Sequence, residues 1–138
     1  MPASPDIAFS GGQSASPVFP AIANHYGTLF AGEALNLMAR VAVLAAADQA
    51  GGDAVMAGCD AIAFHAPIPV GQVLYLDARI IRVGRSSMTV KVVGQAGALG
   101  QRPRRAVLEG LFHMVAVDAD GRPSPLSKLE KVPPREVA

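Results

Sequence analysis

The stretch that decides the fold spans residues 24–47 and reads NHYGTLFAGEALNLMARVAVLAAA. It opens as a loop that carries the polar residues Asn24 and His25 and the glycines Gly27 and Gly32. Glycine lets the backbone approach a ligand closely, and a helix that begins here presents free N–H groups that polarise a carbonyl. The loop therefore suits chemistry on an acyl group.

The segment that follows, residues 33–47, predicts one long enclosed helix. Its only polar residues are Glu33, Asn36 and Arg40, and their spacing of three and four places them on one narrow stripe. A helix that is apolar nearly all round must be enclosed by the rest of its domain. The pair Gly51-Gly52 predicts where this helix ends.

The remaining chain predicts strands and turns, without a second long helix. Strand-like runs cover residues 55–65, 73–83, 87–95 and 106–117, and turn-forming residues separate them. A short strand around residues 17–23 would make five. Consecutive strands favour an antiparallel sheet, so the predicted fold class is α+β, with a five-stranded antiparallel sheet wrapped around one long central helix.

We expect one domain over residues 17–122. Residues 1–16 are rich in Ser, Pro, Gly and Ala, which predicts a flexible N-terminal arm. Residues 123–138 form a Pro-rich C-terminal tail that should be irregular. A chain of 138 residues is long enough to bury a core without disulfides or a structural metal.

Composition and charge exclude several classes of partner. Lys and Arg total 12 against 11 for Asp and Glu, and a net charge of +1 is too small to recruit nucleic acid or a membrane surface. The single cysteine, Cys59, fits a reducing compartment, and we expect it to be a buried strand thiol. The longest apolar run is too short to span a bilayer and no secretory signal pattern opens the chain, so we expect a cytoplasmic protein.

Three motifs in order resemble the hotdog-fold acyl-CoA thioesterases, specifically their broad-specificity acyl-CoA hydrolase branch. They are NHYGTLFAGEAL at 24–35, IAFHAP at 62–67 and GRSSMTV at 84–90. Three ordered motifs are more specific than any single one. The resemblance implies hydrolysis of an acyl-CoA thioester to a free acid and CoA, without a metal or redox cofactor.

The same resemblance implies how such a protein assembles. Two subunits pair edge to edge as a homodimer with a continuous ten-stranded sheet, and the active sites lie at the subunit interface. Such dimers often form trimers, which gives a homohexamer. Pairing of this kind would also cover an exposed strand edge, which is an independent physical reason for it.

The resemblance gives catalytic roles to Asn24 and Gly32. Asn24 occupies a position at which the family places Asn or Asp to position substrate or water, although an Asn in such a loop also serves as a turn former. The Gly32 N–H would polarise the thioester carbonyl as an oxyanion donor. The departure is Ala39, which stands where the family carries a helix Asp or Glu, because a methyl group cannot move a proton.

Two functional hypotheses follow from Ala39. In the first, the protein is a thioesterase in which Asn24 holds a water and Glu33 or His25 replaces the missing base. A positioned base contributes roughly 10² to 10⁴ in rate, while oxyanion stabilisation persists without it. In the second, it is a non-catalytic hotdog protein that binds acyl-CoA or another thioester.

The remaining candidate site residues are assigned to substrate binding. His25, Phe30 and Ala39 would contact the substrate near the helix start. The resemblance gives Arg85, Ser86 and Ser87 contacts with CoA, with the arginine facing a phosphate. No metal site is expected, because His25 and His65 lack partners at ligand spacing.

Overall fold

The computed structural model describes residues 12–126, which form one long helix and five strands. The helix, α1, spans Ala31–Ala50. The strands are β1 (Gln13–Pro17), β2 (Ala54–Phe64), β3 (Gln72–Val83), β4 (Ser87–Ala98) and β5 (Arg105–Ala116). A 3-10 turn, Pro20–Ile22, links β1 to the loop before α1. The α+β fold class predicted from the sequence is confirmed.

The five strands form one antiparallel sheet in the order β1-β3-β4-β5-β2. The strands β1 and β2 are therefore its edges. The edge strand β2 is irregular, because its pairing with β5 shifts register between Met56 and Gly58 and again between Asp60 and Ala63. Ala61 lies within the second shift at φ 54°. Bulges of this kind bend an edge strand and increase its twist.

The helix covers one face of the sheet. Buried residues recur along it at helical spacing, among them Ala34, Met38, Val41 and Ala45. The sheet side chains that form the core alternate along their strands and include Leu74, Leu76, Val90, Val92, Phe112 and Met114. The intervening residues face away from the helix, and we call that side the outer face.

The helix end agrees with the sequence prediction. Gly51 adopts a left-handed conformation at φ 72°, and its N–H donates to the Ala47 carbonyl at 2.8 Å. Such a residue closes a helix because it has no Cβ to clash in this conformation. Within residues 12–126, no helix is long and apolar enough to cross a membrane.

Two positional predictions are wrong. The strand expected around residues 17–23 lies earlier, at Gln13–Pro17, where pairing with β3 holds it inside the segment assigned to the arm. Cys59 is exposed rather than buried, because β2 is an edge strand.

The ends of the predicted domain are only partly described. Residues 123–126 return to the sheet, where the Ser124 N–H donates to the Ala116 carbonyl at 2.8 Å and Leu126 is buried. The predicted domain boundary at 122 therefore falls before the last residues that pack on it. The rest of the predicted arm, 1–11, and of the predicted tail, 127–138, lies outside the described residues.

Candidate active site

The loop before α1 is held by its own backbone and by the segment that precedes β3. The Asn24 N–H donates to the Thr28 carbonyl at 2.8 Å, and the Gly27 N–H donates to the Asn24 carbonyl at 3.0 Å. Gly27 makes this turn possible at φ 77°. The Leu29 N–H donates to the Ile68 carbonyl at 2.8 Å, which fixes the loop against the segment between β2 and β3.

The side chain of Asn24 is oriented by three donors from the same loop. Its Oδ1 accepts hydrogen bonds from the Tyr26 N–H at 3.0 Å, the Thr28 N–H at 3.1 Å and the Thr28 hydroxyl at 3.2 Å. These bonds occupy the oxygen, so the amide Nδ2 is the end that remains for a ligand. Asn24 is therefore both a turn former and a possible N–H donor, but it is not a proton acceptor.

Thr28 was not identified from the sequence. Its hydroxyl is the only side-chain donor to Asn24 Oδ1 among the described residues. The available signal was an Asn followed four residues later by a Thr in a glycine-containing turn, since Asn in turns accepts bonds from backbone groups that follow it.

The start of α1 presents two N–H groups without partners. Phe30 precedes the helix with no side-chain cap, and its carbonyl accepts from the Glu33 and Ala34 N–H groups at 3.0 Å each. Within residues 12–126, the Ala31 and Gly32 N–H groups have no hydrogen-bond acceptor. The sequence pointed to Gly32 alone, whereas the geometry offers Ala31 as a second donor.

The ring of Phe30 lies close to Gly32. A Cβ added there would lie 2.6 Å from Phe30 Cε2. The Phe30 ring, itself 53% exposed, thus lies beside the two free N–H groups. His25 is exposed and its ring contacts the Tyr26 ring at a tilt of 39°, with centroids 4.0 Å apart. Asn24, His25, Phe30 and Gly32 therefore lie in one loop and the first turn of the helix that follows it.

Ala39 lies further along the helix. It is eight residues beyond Ala31, which corresponds to about 12 Å along the axis. Its methyl group is half-buried and packs against the core. Glu33, which the sequence suggested as a substitute base, is half-buried in the first turn.

The third motif lies at the opposite end of the sheet. The hairpin between β3 and β4 closes with a bond of 2.7 Å from the Gly84 N–H to the Ser87 carbonyl. The loop before α1 packs near the start of β3, and this strand of 12 residues places the hairpin roughly 36 Å away. Within one chain, Arg85, Ser86 and Ser87 are therefore not part of the group around Asn24.

The hairpin backbone has structural partners of its own. The Ser86 carbonyl accepts from the Ala116 N–H at 2.8 Å, and the Arg85 carbonyl accepts from the Leu126 N–H at 2.7 Å. The Arg85 and Ser87 side chains are exposed, so they remain accessible to a ligand.

Comparison with known proteins identifies the family. The family model of the thioesterase superfamily matches residues 26–98, which include the end of the loop, α1 and the hairpin. The chain belongs to the thioesterase superfamily. The uncharacterized acyl-CoA thioester hydrolase ZMO0511 of Zymomonas mobilis is 38% identical over 104 residues, which are 75% of this chain and 70% of that protein.

Two solved thioesterase structures share this fold. One is an aspartate-to-alanine mutant of HI0827, a hexameric broad specificity acyl-coenzyme A thioesterase, with a TM-score of 0.78 and 29% identity over 82% of this chain and 84% of the other. The second is an acyl-CoA hydrolase from Staphylococcus aureus in complex with butyryl coenzyme A, coenzyme A and coenzyme A disulfide. Its TM-score is 0.80 at 27% identity, over 90% of this chain and 74% of the other. The resemblance inferred from the three motifs is confirmed.

Proposed function

We propose that this protein hydrolyses acyl-CoA thioesters to a free acid and CoA. The observation that carries the proposal is the pair of unpartnered N–H groups of Ala31 and Gly32, in the loop and helix start that also hold the free amide of Asn24. Similarity to acyl-CoA thioester hydrolases and to acyl-CoA thioesterases supports the same reaction and the same class of substrate.

In the proposed mechanism, the helix start binds the thioester carbonyl oxygen. Water attacks the carbonyl carbon, negative charge develops on the oxygen, and the Gly32 and Ala31 N–H groups stabilise it. The carbon–sulfur bond then breaks and CoA leaves as a thiolate that takes up a proton. Removing one such donor typically lowers kcat about 10² to 10³-fold.

Asn24 contributes a donor rather than a base in this proposal. Because Oδ1 is already occupied, the Nδ2 N–H is the atom that orients the carbonyl or the attacking water. The proton of the attacking water has no carboxylate acceptor at position 39. We therefore expect turnover to depend on activation of the carbonyl. It should be slow, because no general base stands at position 39.

A dimer formed through β2 would complete the site. β2 is an edge strand with exposed apolar side chains, among them Val55, Met56 and Phe64 at 49%, 44% and 46%. An unpaired edge with apolar side chains favours pairing with another strand. Two copies of β2 that pair antiparallel about a twofold axis extend the sheet to ten strands.

That dimer would bring the third motif to the helix start. The hairpin lies at the Ala54 end of β2, because Ala54 and Ser86 both contact Ala116. The helix start lies at the Phe64 end, near Ile68. Antiparallel pairing places one chain's Ala54 end beside the other chain's Phe64 end. Arg85, Ser86 and Ser87 of one subunit would then contact CoA bound at the other subunit's helix start, and three such dimers would give the hexamer reported for HI0827.

The test is release of free thiol from a panel of short, medium, long and aromatic acyl-CoAs. We expect the wild-type protein to turn over at least one substrate and Asn24→Ala to lower that rate about 100-fold or more. Ala39→Asp should raise kcat about tenfold or more, because it adds a base, whereas the matched variant Ala39→Asn should not. Wild-type protein that binds acyl-CoA in calorimetry but releases no thiol from any substrate would overturn hydrolysis.

A further inference from the structure

A cleft on the outer face of the sheet lies apart from the thioester site. Its volume is about 530 Å³, and β1, β3, β4 and the loop before β5 line it. Tyr75, Asp77 and Arg79 alternate along β3 with the core residues Leu74, Leu76 and Ala78, so they project away from α1. The cleft and the start of α1 are therefore on opposite faces.

The one carboxylate among the described residues of this cleft is already neutralised. Asp77 Oδ2 accepts a hydrogen bond from Arg79 Nε at 2.8 Å, and its Oδ1 accepts one from Gln13 Nε2 at 3.5 Å. The side chain of Asp77 is 27% exposed. The negative charge is thus paired within the cleft and does not repel an incoming anion.

Arg104 is a cation without a carboxylate partner among residues 12–126. Its Nε is buried and has no hydrogen-bond acceptor in this part of the chain. A buried, charged donor without an acceptor is unfavourable, so an anion beside this guanidinium would be stabilised. The group in this cleft that lacks a hydrogen-bond partner is therefore a donor, and it requires an acceptor.

The guanidinium of Arg104 is held in place before any ligand arrives. It lies over the Tyr75 ring, with Cζ 3.5 Å from the centroid. The arginine stem crosses Gly97, where an added Cβ would be 3.5 Å from Arg104 Cγ. Stacking and packing of this kind limit the rotamers of an arginine and lower the entropy lost on binding.

We propose that this cleft binds an oxyanion, a carboxylate or a phosphate, through Arg104. The guanidinium forms paired bonds with either anion, and the amides of Gln13 and Gln95 lie among the lining groups. The two anions indicate different ligands: a carboxylate would come from a free fatty acid, and a phosphate would come from a nucleotide. The site is independent of the proposed hydrolysis, since no residue of the helix start contributes to it.

The chain allows a direct optical test. It contains two tyrosines and no tryptophan, so in the Tyr26→Phe variant the fluorescence of Tyr75 reports on this cleft alone. We would titrate sodium phosphate, sodium butyrate and sodium chloride at constant ionic strength. In this background, Arg104→Gln is the test variant. Arg102→Gln is the matched control, because Arg102 is an exposed cation in the same loop that does not line the cleft.

We expect phosphate or butyrate to cause a saturable change in Tyr75 fluorescence. The affinity derived from it should be about 10- to 100-fold weaker in Arg104→Gln and unchanged in Arg102→Gln. The anion that saturates identifies the source. If Arg104→Gln fails to fold in a thermal melt, Arg104→Lys replaces it, because it keeps the charge and loses the planar fork. An equal response in both variants, or one that chloride reproduces, overturns the proposal. A change of oligomer mass by light scattering in Arg104→Gln without anion binding also overturns it, because the cleft would then be a subunit contact.

Discussion

The hydroxyl of Thr28 donates a hydrogen bond of 3.2 Å to the side-chain oxygen of Asn24. With two backbone N–H groups it fixes which end of the Asn24 amide faces the loop and which end is free. The loop conformation and the chemistry available to a substrate therefore depend on the same side chain. Substitutions that separate these two roles are the sharpest probes of the site.

Replacing Asn24 with Asp or with Ala should separate its contribution to stability from its contribution to the rate of hydrolysis. Asn24→Asp keeps an acceptor for the three loop donors, so we expect its unfolding free energy to stay within about 0.5 kcal/mol of wild type. Its rate of thiol release should nevertheless fall about 100-fold, because the N–H donor is lost. Asn24→Ala should lose the same activity and about 1 to 3 kcal/mol of stability as well. Urea denaturation and thiol release measure the two effects, and an active Asn24→Asp enzyme would contradict the donor role.

Thr28→Val should lower activity although Thr28 need not touch the substrate. The valine keeps the side-chain shape but removes the hydroxyl bond to Asn24, at a cost of about 1 kcal/mol in unfolding free energy. We expect kcat to fall and KM to change little, since the amide of Asn24 is less well oriented. Thr28→Ser is the control, and it should keep both the wild-type stability and the wild-type kcat because it retains the hydroxyl. A Thr28→Val enzyme with wild-type kcat would show that the backbone donors orient Asn24 unaided.

Gly110→Ala should destabilise the protein by overpacking. A Cβ at this position would clash with Ile62 Cδ1 and would lie 3.1 Å from Met38 Cε, between α1 and the sheet. Overpacking of a close-packed core costs about 1 to 3 kcal/mol. The matched control is Gly58→Ala, because an added Cβ there has no neighbour within 4 Å. Adding Ile62→Val to Gly110→Ala removes the clashing methyl group and should recover part of the loss in a denaturant titration.

Cys59→Lys should weaken the proposed dimer. Cys59 is exposed and lies at the middle of β2, so in a pairing centred on this strand it approaches its own copy. Two lysines placed directly opposite each other repel, and lysine on an edge strand discourages pairing. Light scattering should show a lower mass, and thiol release should fall with it. The control is Cys59→Ser, and an unchanged mass for Cys59→Lys would exclude this strand as the interface.

The helix and most strands were predictable because their signals are local. The apolar period before Gly51 and the alternation along β4 depend only on neighbouring residues. Strand β1 was misplaced because QSASP has no strand pattern of its own and becomes a strand only by pairing with β3. The exposure of Cys59 could not be predicted, since nothing in the sequence of β2 indicates that this strand lies at an edge of the sheet.

The candidate site was predictable in composition but not in geometry. The motif indicated Asn24 and Gly32, and the structure places them in one loop and helix start. Which atom of Asn24 is free depends on how the loop folds back from Thr28, and no spacing rule specifies that. The separation of the Arg85 hairpin from this loop likewise follows from the length of β3 within the sheet.

The position of the hairpin and the helix start at opposite ends of one sheet has a genetic consequence. If each site draws on two chains, a subunit damaged only at Asn24 and a subunit damaged only at Arg85 together contain one intact site per mixed dimer. Two inactive alleles should then complement each other, and random reassociation of the two variant proteins should restore about a quarter of wild-type activity. A protein whose sites were complete within one chain would show no such rescue.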